Sequence, residues 1–162
     1  MIEHKILKAE MPAGAVITPR RILVVEDESD LRQLNAEVLM DSGYQVDMAE
    51  DGAVGWAAVQ QNRYDLLVTD QFMPKLSGVE LLKKIHTARL PLPVIMVTHI
   101  LPTWEFSLHP HLQAATMLRK PYTIGKLLGM VKNVLYATAG IHAETAPTAN
   151  PPSPSATIGL RV

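Results

Sequence analysis

The sequence predicts a doubly wound α/β domain, a five-stranded parallel sheet with helices on both faces, and three observations carry that expectation. Residues 22–25, 66–69 and 94–98 are short, nearly unbroken apolar runs rich in β-branched side chains, the composition of strands covered on both sides. Segments of helical period separate these runs. Two weaker strand candidates, residues 45–49 and 116–119, complete an alternation of five strands with five helices. Right-handed crossovers then lay helices on either face of one parallel sheet.

Leu31, Leu34, Val38 and Leu39 share one face of the first helix, and Gly43 stands where that helix would end in the left-handed conformation. Asp51 is placed to cap a second helix carrying Val54, Trp56, Ala57 and Ala58. Ser77-Gly78-Val79-Glu80 has capping-box spacing ahead of Leu81, Leu82 and Ile85, with Ser77 accepting from the third helical N–H and Glu80 reaching back. Residues 100–111 read ILPTWEFSLHPH, and Pro102 and Pro110 limit a fourth helix to about two turns. Thr123 opens the last helix, whose Ile124, Leu127, Leu128, Val131, Val134 and Leu135 form the clearest apolar stripe in the chain.

At 162 residues, 48% hydrophobic and 19% charged, the chain is long enough for one domain with a real core. The folded unit is expected over residues 20–136, with residues 1–19 a flexible N-terminal arm broken by Pro12, Gly14 and Pro19. Residues 137–162 are Ala/Thr/Pro-rich, hold only Glu144 and Arg161 as charged side chains, and carry four of the twelve prolines. Little area to bury against a high ordering entropy predicts a disordered tail. Fifteen basic against sixteen acidic residues give a formal charge of -1, so no basic surplus points to direct nucleic-acid binding or to an anionic membrane. The absence of cysteine excludes disulfides, cysteine nucleophiles and thiolate zinc sites. There is neither a long apolar span nor a signal-peptide apolar stretch, which makes a cytoplasmic location the expectation.

Ligands of such a sheet bind at the carboxyl ends of the strands. Those ends carry Glu26, Asp27 and Glu28 after the first strand, Asp70 after the third, Thr98 and His99 after the fourth, and Lys120 with Pro121 after the fifth. Glu26, Asp27 and Asp70 can remain ionised together only around a cation, and Mg²⁺ suits carboxylate oxygens while leaving positions for phosphate oxygens. A carboxylate beside such an ion can attack phosphorus and form an acyl phosphate. Lys120 would bring a positive charge to the same oxygens, and the Thr98 hydroxyl could donate a hydrogen bond to a phosphoryl group. The set reads as a phosphoryl-accepting site.

These residues carry a resemblance over residues 21–136. The pieces are Ile22-Leu23-Val24-Val25-Glu26-Asp27-Glu28, then Val68-Thr69-Asp70 with Met73-Pro74 and Gly78, then Val97-Thr98, and finally Lys120-Pro121-Tyr122. Together they resemble a response regulator receiver domain, the phosphoaspartate switch of two-component signalling. The resemblance implies a flavodoxin-like sheet of receiver topology and Asp70 as the phosphoacceptor. It implies Glu26 and Asp27 as the acidic pair serving Mg²⁺, with the main-chain carbonyl of Phe72 as a third protein ligand. Thr98 and Lys120 take the roles their chemistry suggests. It further implies a histidine kinase or phosphotransfer protein as donor and a downstream protein as target. Such a domain is no enzyme beyond its own phosphotransfer and autodephosphorylation. Because the residues after Tyr136 are too few for a DNA-binding module, the expected form is a stand-alone, single-domain regulator that signals by protein contact; homodimerisation stays open.

Three positions depart from the family pattern. His99 stands where a small residue usually follows the Thr, Met117 stands three residues before Lys120 in place of an aromatic, and the proline-bounded fourth helix implies a non-standard output face. A receiver-like binding adaptor with a weakened or uncoupled switch is therefore the alternative. A phosphohydrolase of the haloacid-dehalogenase type would need a second Asp two residues after the nucleophile, where this chain has Phe72. His99, His109 and His111 form a poor ligand set without a carboxylate partner. Trp104 and Phe106 are either a partner-binding spot or packing of their own loop.

Overall fold

The computed structural model describes residues 18–144. Residues 1–17 and 145–162, and with them most of the expected arm and tail, lie outside the described residues. The order is β1 (Arg21–Val25), α1 (Ser29–Asp41), β2 (Gln45–Ala49), α2 (Gly52–Gln61), β3 (Leu66–Asp70), α3 (Gly78–Thr87), β4 (Val94–Thr98), α4 (Thr103–Leu108), a 3-10 turn (Pro110–Ala114), β5 (Thr116–Arg119) and α5 (Ile124–Glu144). All five strands are parallel, in the spatial order β2-β1-β3-β4-β5. The doubly wound expectation is met.

Side chains alternate across the pleat, and this explains why the strands are apolar throughout. Ile22, Val24, Leu66, Val68, Ile95, Val97 and Leu118 pack against Leu39 of α1 and Leu127, Val131 and Leu135 of α5. Their neighbours Leu23, Val25, Leu67, Val94 and Met96 pack the other way, against Val59 of α2 and Val79, Leu81, Leu82 and Ile85 of α3. Each such aliphatic side chain contributes about 1.5–3 kcal/mol, so the two clusters rather than helix propensity hold the layers together.

The local signals act as read. Asp51 accepts from the Val54 N–H at 2.8 Å and caps α2. Ser77 and Glu80 form the full capping box of α3. Gly43 ends α1 at φ +91, a conformation that would strain any side chain. Thr123 accepts from the Lys126 N–H at the start of α5.

Two expectations need correction. The stripe on α1 is rotated: Leu34 is 45% exposed, while Asn35, Ala36 and Leu39 are buried. The buried face is centred on a polar and a small residue because the Asn35 amide finds a partner in Tyr122. The second correction concerns the end of the folded unit, since α5 continues through residue 144 instead of stopping at 136. Ala137, Ala139 and Ala143 are strong helix formers, and no proline follows Tyr136 before Pro147. No described helix is long and apolar enough to cross a membrane.

The short α4 separates its two aromatics. Phe106 is buried on the sheet beside Leu112, with Met117 packed against the same cluster, whereas Trp104 is 67% exposed.

Candidate functional site

The parallel register brings the strand ends level. Val25 pairs with Thr69, Asp70 with Val97, and Thr98 with Arg119, so the residues that follow or end each strand rise from one edge of the sheet. Glu26, Asp27 and Asp70 each offer a carboxylate oxygen within 4.8 Å of the others. Glu26 and Asp70 are buried and Asp27 is exposed. From β5, the Lys120 ammonium reaches in to 3.4 Å from Asp70 Oδ1 and 3.6 Å from Glu26 Oε2, with its side chain 13% exposed. Four of the expected residues thus converge.

The backbone fixes each of them. The Glu26 N–H donates to the Ala49 carbonyl, tying the end of β1 to β2. Arg32, one turn into α1, donates to the Glu26 carbonyl at 2.7 Å and to the Asp27 carbonyl at 3.5 Å. Asp70 Oδ1 accepts from the Gln71 N–H at 2.9 Å. The Lys120 N–H donates to the Thr98 carbonyl at 2.9 Å, and the Lys120–Pro121 peptide bond is cis.

Three carboxylates face one ammonium, and their ionisation shows the imbalance. Burial, and then the Asp70 charge, push Glu26 up to about 7, against the pull of Lys120. Burial also raises Asp70, while Lys120 and the Gln71 N–H work in the opposite direction. Burial opposes the charge on Lys120, yet Asp70 and Glu26 together hold its ammonium above its ordinary value. A hard divalent cation suits this donor set, because it would supply the missing positive charge to oxygens already gathered.

The other two expected residues are Thr98 and Phe72. Thr98 is buried at the end of β4, with its hydroxyl donating to the Ile100 carbonyl at 2.6 Å and accepting from the Ile100 N–H at 3.2 Å, so it is engaged with the following loop. Phe72 follows Asp70 by two residues, and its side chain is 56% exposed. His99 is exposed. Among the described residues, Glu26, Asp27 and Asp70 form the one cluster of His or acidic groups able to hold an ion, and no histidine joins it.

The sequence reading missed the residues that brace the site. Gln71 is buried; its side-chain carbonyl accepts from the Val79 N–H at 3.0 Å, and its main-chain carbonyl accepts from the Gly78 N–H, stitching β3 to α3. Asp51, besides capping α2, pairs with Lys75 in the loop after β3. A polar residue directly after a buried strand was the available signal for Gln71. Neither Arg32 nor Lys75 had one, since each depends on where a loop passes.

A family model for the response regulator receiver domain matches residues 22–132. The chain belongs to that family. This receiver is 35% identical to the transcriptional regulatory protein DltR of Streptococcus agalactiae over 112 residues, 69% of this chain and 50% of that protein. It is 30% identical to the response regulator MprA of a Mycobacterium species over 139 residues, 86% of this chain and 57% of that protein. The chain therefore spans about half the length of these curated relatives. Among solved structures, a CheY-like receiver domain protein of Methanospirillum hungatei matches at TM-score 0.71 and 27% identity, covering 76% of this chain and 99% of that one. The response regulator TrrA of Thermotoga maritima, solved in complex with Mg²⁺ and BeF, matches at TM-score 0.62 and 30% identity, covering 71% of this chain and 98% of that one. Receivers are signalling domains of two-component systems, for which aspartate phosphorylation and Mg²⁺ are typical.

Proposed function

We propose that this receiver accepts a phosphoryl group onto Asp70 from the phosphohistidine of a histidine kinase or phosphotransfer protein, and that a protein partner reads the modified surface. The observation that carries the reading is the Lys120 ammonium standing 3.4 Å from the carboxylate of Asp70 inside a cluster of three acidic groups. An Asp70 oxygen attacks phosphorus, the bond from phosphorus to the donor imidazole nitrogen breaks, and that nitrogen keeps the electron pair and takes up a proton. Lys120 pairs with an oxygen of the transferred group. Thr98 releases Ile100 and donates its hydroxyl hydrogen to another. Glu26, Asp27 and Asp70, with the Phe72 main-chain carbonyl, would hold Mg²⁺, which when bound neutralises charge gathering on the phosphoryl oxygens. Likeness to TrrA, solved with Mg²⁺ and a beryllium fluoride, supports that assignment.

Incubation with a small acyl phosphate and Mg²⁺ is expected to give an acid-, base- and hydroxylamine-labile phosphoprotein, as an acyl phosphate requires. Asp70→Asn should incorporate none. Label of equal amount in Asp70→Asn, or none in the unsubstituted protein with any donor, rejects the reading.

The ionisation of Glu26 adds a pH dependence. Its carboxyl ionises near 7 in the folded chain against 4.5 ordinarily. Without metal, ionising it therefore opposes folding as pH rises through that window, and the stability present below 4.5 is lost by about 7. Bound Mg²⁺ favours the ionised form and reverses the effect. The rise in thermal midpoint produced by Mg²⁺ should grow with pH up to about 7 and level off above it. Calorimetry at a series of pH values checks this, and Glu26→Gln should flatten the slope.

A further inference from the structure

Asn35 lies on the buried face of α1, beside Ala36 and Leu39, at 4% exposure. Its Nδ2 stands 3.0 Å from the Tyr122 hydroxyl and its Oδ1 stands 3.3 Å from the same oxygen. The Tyr122 ring is half-buried against the core cluster shared by α1 and α5. A neutral hydrogen bond nets only about 1 kcal/mol, whereas an aliphatic side chain in the same place would contribute about 1.5–3 kcal/mol. Stability alone does not account for the pair. A hydrogen bond does give direction, which an aliphatic contact lacks.

Direction matters because of what each partner adjoins. Tyr122 follows Lys120 by two residues, and the Lys120 N–H is already held on its other side by the Thr98 carbonyl of β4. Three residues before Asn35, on the same face of α1, Arg32 donates to the carbonyls of Glu26 and Asp27. One helix therefore grips both the acidic loop and the turn that carries the ammonium. Burial raises the Tyr122 phenol above its ordinary range, with the Asn35 hydrogen bond and Lys120 opposing, so at neutral pH it is an uncharged group suited to a fixed tether.

We infer that Asn35 and Tyr122 are positioning residues, whose hydrogen bond ties the Lys120-Pro121-Tyr122 turn to α1 and sets where the Lys120 ammonium stands relative to Asp70. The inference rests on the phosphoryl-accepting reading of the site. A long flexible ammonium loses the advantage of its charge if its base drifts, and a misplacement on the order of 1 Å costs up to about a hundredfold in rate.

Two variants of the chain test it. Tyr122→Phe keeps the ring and strands the Asn35 amide; Asn35→Leu combined with Tyr122→Phe removes both polar groups and restores an apolar contact. Phosphorylation by a small acyl phosphate is expected to fall about tenfold in both variants, with Mg²⁺ affinity within about twofold of the parent because the acidic loop keeps Arg32. The thermal midpoint should drop in Tyr122→Phe and recover in the double variant. A purely structural pair would instead recover rate and midpoint together, and that result overturns the inference. The ε-methylene protons of Lys120, followed by NMR in ¹³C-lysine protein without phosphodonor and assigned with Lys120→Arg, give a readout independent of phosphorylation. They should be distinct in the parent and merge in both variants; unchanged signals overturn the inference too. A parent that takes up no phosphoryl group, while the Lys120 signals still merge in both variants, would reject the functional reading and leave the positioning role established.

Discussion

Lys120→Met is expected to slow phosphorylation of Asp70 by about 10²–10³-fold while leaving Mg²⁺ binding intact or stronger. Methionine fills nearly the same volume, so the β5 end keeps its packing and only the ammonium disappears. The oxygens of the incoming group then lose the ammonium and keep only the Thr98 hydroxyl and the metal as partners, while they acquire charge in a site that admits little water. For the metal, the same change has the opposite sign. Lys120 competes with a cation for Asp70 and Glu26, standing 3.4 Å and 3.6 Å from them, and its removal leaves three carboxylates unopposed. It also lets both carboxyls rise further, since Lys120 is among the groups holding them down. Mg²⁺ titration should therefore be done well above pH 7, where Glu26 is ionised. Rate and affinity moving apart is the signature to look for; a parallel loss of both would mean that Lys120 supports the shape of the pocket instead of the chemistry.

What the sequence disclosed and what it hid divide by distance along the chain. The caps at Asp51 and Ser77 involve partners three residues away, so spacing alone revealed them. The strand runs were legible because both faces of each strand are covered, which removes the polar half of the usual alternation. Glu26, Asp27, Asp70 and Lys120 could be gathered on paper because the topology rule sends strand ends to one edge. The rotation of α1 could not be read, since the group that makes Asn35 acceptable in the core is Tyr122, 87 residues on. Nor could the state of Thr98, whose hydroxyl depends on how residues 98–100 turn. The boundary at residue 136 failed for a different reason: average composition weighed the prolines from Pro147 onward together with an alanine-rich stretch that, ahead of them, holds no proline. The pair Trp104 and Phe106 shows the same limit at short range, because one turn of α4 decides which ring faces the sheet.

Gly78→Ala should destabilise the domain by about 3 kcal/mol or more and disturb Asp70 from a distance. By propensity the change ought to help, since alanine is favoured over glycine in a helix by about 1 kcal/mol, and Gly78 is the first residue of α3. Close approach decides otherwise. A Cβ at this position would stand 2.4 Å from the Asp70 carbonyl oxygen and 3.0 Å from the Gln71 Cα. Both obstacles are main chain, so no rotamer change relieves the overlap, and α3 must move away from the end of β3. That movement strains the Gly78 N–H bond to the Gln71 carbonyl and the Val79 N–H bond to the Gln71 side chain. Gln71 also donates to the Asp70 carboxylate, so loss of stability should come with weaker Mg²⁺ binding and slower phosphorylation. Gly125→Ala supplies the comparison, because a Cβ there meets nothing within 4 Å; in the first turn of α5 it should stabilise by up to about 1 kcal/mol. Denaturant unfolding of the two variants beside the parent distinguishes the effects: opposite signs support a packing constraint at Gly78, whereas two small shifts of the same sign would mean that β3 and α3 are not in the contact described.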